Sequence, residues 1–192
     1  MNFLSNEYKD WEADRIEEEK LIVAKYPFLQ VRDIDGTPDM NAKFPLMSLE
    51  IPNGWSLLFA QMCDDLKEVL IEEGCLDTFY FIQIKEKYNQ LRCYAGYPTT
   101  NKILRVLQKY EHLSLFVCTK CGKPATKEIT TEYIESICND CWHNKYQQST
   151  FIDIELELEF YINTFGRNTG IVTTLVNVDD EWNRYLKKIE EK

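Results

Sequence analysis

The most specific chemical signal in this chain is a set of four cysteines in two Cys-x2-Cys units, Cys118/Cys121 and Cys138/Cys141. A two-residue gap lets both thiolates of a unit reach one ion at ~2.3 Å, and two such units complete a tetrahedron. Gly122 follows Cys121, where a knuckle turn calls for positive φ, and Pro124 stiffens the exit. Four thiolates close the coordination shell and leave no position for water or substrate. The expected cofactor is therefore a single structural Zn2+. Two other readings stand beside it: His143 replaces one thiolate, or the four cysteines are unrelated core residues. Cys63, Cys75 and Cys93 fall on apolar faces and read as small core residues.

Two further sets of residues have the composition of binding surfaces. Lys85, Lys87, Tyr88, Arg92 and Tyr94, continued by Tyr97, Lys102, Arg105 and Lys109, interleave cations with aromatics, a pattern that stacks bases and holds phosphates. The plainer reading is a solvated sheet face that balances the acidic helix before it. The second set is a ladder of carboxylates, Asp153, Glu155, Glu157 and Glu159, alternating with Ile152, Ile154, Leu156, Leu158 and Phe160. On a strand, such carboxylates lie ~6.8 Å apart and form a negative stripe ~20 Å long. A stripe of that kind imitates a nucleic-acid backbone and attracts a basic protein. The plainer reading is the solvent face of an edge strand, whose charges discourage aggregation.

Recognisable catalytic motifs are missing; a Cys–His nucleophile pair stays open only because three spare cysteines and two histidines supply candidates by chance. His112 and His143 are the two histidines. The run from Cys138 to His143 has a superficial likeness to the scaffold of HNH nucleases, but those enzymes need a histidine between the knuckles, and residues 122–137 hold none. There is no glycine-rich phosphate loop and no Gly-x-Ser-x-Gly elbow. The expectation is a protein that is not an enzyme.

Composition narrows the partner. The net charge of −10 disfavours nucleic acid, whose affinity for proteins comes largely from Lys and Arg neutralising phosphates. Residues 79–110 are the exception, with Lys85, Lys87, Arg92, Lys102, Arg105 and Lys109 against Glu86 alone. No apolar run approaches the ~18 residues that span a bilayer, so no membrane is expected. The start of the chain lacks the basic-then-apolar pattern of a signal peptide. A cytoplasmic location is expected, where Cys-x-x-Cys units read as metal sites rather than disulfides.

The elements that must position these residues follow from periodicity. Residues 6–25 read as a helix with weak apolar periodicity, capped by Ser5 or Asn6, and the prolines of 26–52 mark an irregular connection. A core-facing helix opens at Asn53-Gly54, with Trp55, Leu58, Phe59, Met62, Leu66, Val69 and Leu70 on one stripe and Gly74 as its stop. Residues 78–88 and 91–94 form a strand pair turning at Asn89-Gln90. Thr99 or Thr100 caps a helix with Ile103, Leu104, Leu107 and Tyr110 on one side. Beyond the cysteines, 151–161 read as one continuous strand, 170–178 as its hairpin partner, and Asp179 or Asp180 as the cap of a helix carrying Trp182, Tyr185, Leu186 and Ile189. The fold class is α+β, with antiparallel strand pairs, flanking helices and a four-cysteine knuckle. Residues 1–145 make the core, with the knuckle at 118–141, and 146–192 add an acidic hairpin and helix packed on the same domain.

Several stretches together resemble a family of small, uncharacterised zinc-knuckle proteins encoded by phages and bacterial genomes. They are Gly54-Trp55 opening a helix, the run from Gln83 to Tyr94, Cys118-Thr-Lys-Cys121-Gly122-Lys123-Pro124, and Ile137-Cys138-Asn-Asp-Cys141. The resemblance spans roughly residues 50–142, and the family has Gly-Gly where this chain has Asn89-Gln90. It implies a phage or mobile-element setting, in which small non-enzymatic proteins bind and redirect host machinery. The expected function is a zinc-stabilised interaction protein that binds a host protein, inhibiting a host defence or nucleic-acid enzyme through its acidic surfaces. The rival is a sequence-tolerant nucleic-acid binder using residues 85–109.

Overall fold

The structure is a computed structural model, and it describes residues 6–33, 35–130, 133–146, 149–166 and 170–191. Helix α1 (Asn6–Lys25) leads through a 3-10 turn (Pro27–Leu29) and an irregular stretch to a short strand, β1 (Leu49–Glu50). Ser5 lies outside the described residues. The weak periodicity of α1 shows in its packing: Leu21 is 72 % exposed, and the helix is pinned at its end by polar contacts. Tyr26 donates its hydroxyl to Asp64 (2.6 Å), and Lys67 Nζ donates to the Lys25 carbonyl (2.7 Å).

Helix α2 (Ser56–Glu72) buries the expected stripe, with Trp55, Leu58, Met62, Leu66 and Leu70 fully inside. Gly74 ends it at φ +67, and the Cys75 amide bonds back to the Leu70 carbonyl, closing the last carbonyls of the helix. Strands β2 (Phe81–Lys87) and β3 (Gln90–Ala95) pair antiparallel. The turn between them falls at Tyr88-Asn89, one residue earlier than expected, because both residues take positive φ (53° and 62°) as a two-residue hairpin turn requires. β1 lies beside β2 in parallel, an addition that the proline-rich stretch does not announce.

Helix α3 (Asn101–Ser114) is capped by Thr100, whose hydroxyl accepts from the Ile103 amide, and it buries Ile103, Leu107 and Tyr110 against α2. The cysteine segment folds around β4 (Lys127–Thr130) and β5 (Ile134–Ile137), followed by one helical turn, α4 (Asn139–Cys141). Beyond it the expected continuous strand is interrupted. β6 (Phe151–Asp153) pairs with β4, whereas β7 (Glu159–Gly166) pairs with β8 (Gly170–Asn177). Residues 154–158 cross from one sheet to the other, because the two halves of the alternating run find different hydrogen-bonding partners.

Helix α5 (Asp179–Glu190) follows, with Trp182 and Tyr185 buried. Its cap is Val178 rather than an aspartate. Asp179 lies inside the first turn, where its amide donates to Asn177 Oδ1 (2.8 Å). Ile162, Val176, Trp182 and Tyr185 share one buried cluster with Trp55, Leu66 and Tyr110, so the hairpin and α5 pack into the same core as α2 and α3. Among the described residues no helix is long and apolar enough to cross a membrane.

Candidate metal centre

The Sγ atoms of Cys118, Cys121, Cys138 and Cys141 all lie within 4.8 Å of one another, and those of Cys121 and Cys138 are 3.6 Å apart. Four sulfurs around one ion at ~2.3 Å stand ~3.8 Å apart, whereas a disulfide needs ~2.05 Å. The cluster therefore suits one tetrahedral metal ion held by soft ligands. His143 is not a member of it.

Local backbone makes this arrangement. The Cys118 amide donates to the Lys123 carbonyl (2.8 Å), and the Gly122 amide returns to the Cys118 carbonyl (3.0 Å), a tight loop that Gly122 completes at φ +80. On the other side the Trp142 amide donates to the Cys138 carbonyl (2.9 Å), so Cys138 and Cys141 sit on one helical turn. Lys123 and Asp140 tie the two knuckles across the surface at 2.7 Å. Burial opposes ionisation of Cys118, but backbone amides of Cys138, Cys121 and Lys120 pointing at its sulfur outweigh it and lower its pKa. Burial pushes Cys138 up to about 11 and raises Cys141 as well, so metal binding must displace protons from these thiols.

The knuckle is fastened to the body by contacts that no cysteine spacing reveals. Gly54 donates its amide to the Thr119 carbonyl (3.0 Å), and a Cβ on Gly54 would lie 2.1 Å from the Cys118 carbonyl oxygen. A Cβ on Gly122 would in turn meet the Gly54 carbonyl at 2.7 Å, so two glycines permit backbone to touch backbone here. Trp55 Nε1 donates to the Val117 carbonyl (3.1 Å), and the Tyr185 hydroxyl to the Gly122 carbonyl. From the β2–β3 turn, Asn89 is buried and inserts into β5: its Nδ2 donates to the Ser136 hydroxyl (2.7 Å), and its Oδ1 accepts the Ser136 amide (2.9 Å). The Gly54-Trp55 pair was visible in the sequence as a helix start; its role as the seat of the knuckle was not.

The ladder residues Asp153, Glu155, Glu157 and Glu159 are all exposed, but the regular 20 Å stripe does not form, because the strand breaks between them. Asp153 is paired with Lys127 at 3.0 Å. The Glu157 carbonyl accepts from His112 Nε2 (2.7 Å), and the His112 ring stacks on Phe160 at 3.9 Å. Burial lowers the pKa of that histidine.

The structure gathers the basic set on the β2–β3 hairpin. Lys85 and Arg92 are cross-strand neighbours, Lys85 Nζ lies 5.5 Å from the Tyr94 ring, and Lys87 Nζ lies 5.5 Å from the Tyr88 ring. Arg92 is held by Glu111 and Gln90. Farther along, Lys102 pairs with Glu72 (2.6 Å) and Glu73 (3.2 Å), and Lys109 with Glu181. Much of the positive charge of this segment is thus neutralised in place. No family model, curated protein or solved structure matches the chain.

Proposed function

We propose that this chain is a zinc-stabilised interaction protein, not an enzyme, which binds a protein partner. In the phage or mobile-element setting of the resemblance, that partner is a host protein, and its inhibition the outcome. The observation that carries the reading is the four-sulfur cluster itself. Its donors fill a tetrahedral shell, which suits an ion that holds structure rather than one that handles substrate. The spare thiols support it too, since burial raises Cys63 and Cys93 and keeps both protonated and unreactive. Glu155, Glu157 and Glu159 offer exposed negative charge for a basic partner surface.

Elemental analysis of protein purified without added metal should find about one zinc per chain. Capture from nuclease-treated lysate should then retain a protein partner with the metal-loaded chain and lose it after chelation. Metal-free protein with unchanged melting, or recovery that vanishes with nuclease, would sink the proposal. The gathering of Lys85, Lys87, Tyr88, Arg92 and Tyr94 on one hairpin favours a second reading, a nucleic-acid surface. Its test is salt-sensitive binding of single-stranded DNA that is lost when Lys85 and Lys87 become Glu.

A further inference from the structure

A groove of about 790 Å³ runs between the two three-stranded sheets, directly beside the metal centre. Leu49, Glu50, Ile51 and Pro52, in and after β1, form one wall; Thr130, Tyr133, Ile134 and Glu135 form the other, and Glu86 and Tyr88 close one end. Both β1 and β5 are edge strands of their sheets. Along β5 the outward-facing amide and carbonyl of Ser136 are occupied, by Asn89 and by the Thr119 amide. Ile134, two residues away, faces the same direction, so its backbone groups point out of the sheet toward the groove.

Charge and hydrogen bonding both indicate an occupant. The lining holds Glu50, Glu86 and Glu135 and no cation. Lys120 reaches Glu135 from outside the lining, which leaves the groove negative. Lys85 and Lys87 alternate with Glu86 along β2 and so belong to its opposite face, to which Glu50, the register partner of Lys85, also turns its carboxylate, 3.5 Å from Gln83 Nε2. Thr119, another lining residue, is 3 % exposed, and its Oγ1 is buried with no hydrogen-bond partner. A buried hydroxyl without a partner costs free energy that an incoming backbone group would recover. At the mouth, Tyr88 and Tyr133 are 73 % and 78 % exposed, aromatic surface suited to cover the stems of lysine or arginine side chains.

We infer that this groove binds an extended, basic segment of the partner protein, laid along β5 with its apolar side chains against Leu49, Ile51 and Ile134 and its cations beside Glu86 and Glu135. The inference rests on the interaction reading above and names where and what that interaction is. Because Thr119 lies between two metal ligands, the groove exists only with the knuckle folded.

The test is amide chemical-shift mapping of the full, zinc-loaded chain with three probes: a short peptide alternating lysine with valine, its glutamate–valine counterpart, and an oligothymidylate. The lysine peptide should shift the amides of Ile51, Thr119, Ile134 and Glu135, and the glutamate peptide should not. Its affinity should fall about tenfold in the Glu86→Gln/Glu135→Gln variant and stay unchanged in Glu155→Gln/Glu157→Gln. Thr119→Val, which keeps the side-chain volume, should also weaken it while retaining zinc and melting temperature. Shifts at residues 153–159, equal binding of the glutamate peptide, or no shift at millimolar peptide would overturn the groove. So would oligothymidylate occupying the β2–β3 hairpin while the lysine peptide leaves the groove amides unmoved. If the groove fails while zinc-dependent partner capture persists, the interaction reading stands without it; loss of both removes both.

Discussion

The knuckle and the β7–β8 hairpin are both small, sheet-based units, yet they are held in opposite ways. Within the knuckle the buried apolar cluster amounts to Ile129 and Ile137 beside the thiols of Cys118 and Cys138. Too little apolar area is removed from water there to fix the chain, so order rests on the docking of backbone onto Gly54, Trp55, Asn89 and Tyr185 and on the ion that the four sulfurs could hold. Among the described residues the β7–β8 hairpin contributes to no cluster of metal-ligating side chains, and it leaves Tyr161, Ile171 and Leu175 largely exposed. It is anchored through its other face, by Ile162 and Val176 in the main core and by Phe160 against His112. One unit depends on ligands and polar contacts, the other on buried area.

The comparison breaks most visibly if the metal is taken away. Cys118→Ser should release it and melt the knuckle, since structural zinc contributes on the order of 10 kcal/mol or more. Amides of β4 and β5 should lose hydrogen-exchange protection, while those of β7 and β8 keep theirs. Equal loss in both hairpins would erase the distinction. Ile162→Ala is the converse experiment. It should cost about 2–5 kcal/mol in denaturant unfolding, as buried aliphatic truncations do, with zinc content unchanged. Loss of metal in that variant would mean the hairpin is part of the metal site's support.

Tyr185→Phe is a finer probe. It removes the hydroxyl that reaches the Gly122 carbonyl and should cost about 1 kcal/mol, read as a lower midpoint in denaturant and faster zinc transfer to a chelator. Smallest is the pH response of His112. Its folded pKa is lowered by burial, so the unfolded chain takes up the proton first as pH falls through ~6.5. Stability contributed by the neutral ring is full above that value and declines below it, until the folded pKa is reached. For one proton the slope is no steeper than about 1.4 kcal/mol per pH unit. Comparison with His112→Gln separates this from acid release of the metal; parallel pH profiles would show that the imidazole contributes nothing.

Sequence periodicity places the helices and their buried faces well: Trp55 through Leu70, Ile103 through Tyr110, and Trp182 with Tyr185 lie where 3.6-residue spacing puts them. It succeeds because a helix face is decided within the segment. The strands 151–161 fail for the complementary reason. Nothing inside Ile152–Phe160 says that Phe151–Asp153 will pair with β4 and Glu159 onward with β8, since pairing partners are chosen elsewhere in the chain. The four cysteines are legible as a group because metal geometry dictates their spacing. Their seat is not, because Gly54 contributes only the absence of a side chain, and Asn89 acts from a turn that looks ordinary in sequence.

The hydroxyl of Tyr185 on Gly122 also carries a consequence for how the molecule is made. A ribosome delivers all four thiols before it delivers α5, a delay of roughly several seconds at ordinary elongation rates. Metal capture during synthesis would therefore begin on a knuckle seated by Gly54, Trp55 and Asn89, with α5 arriving afterwards as a latch. If zinc fills the cluster, a nascent chain stalled before Asp179 should hold the ion but exchange it faster than the finished protein.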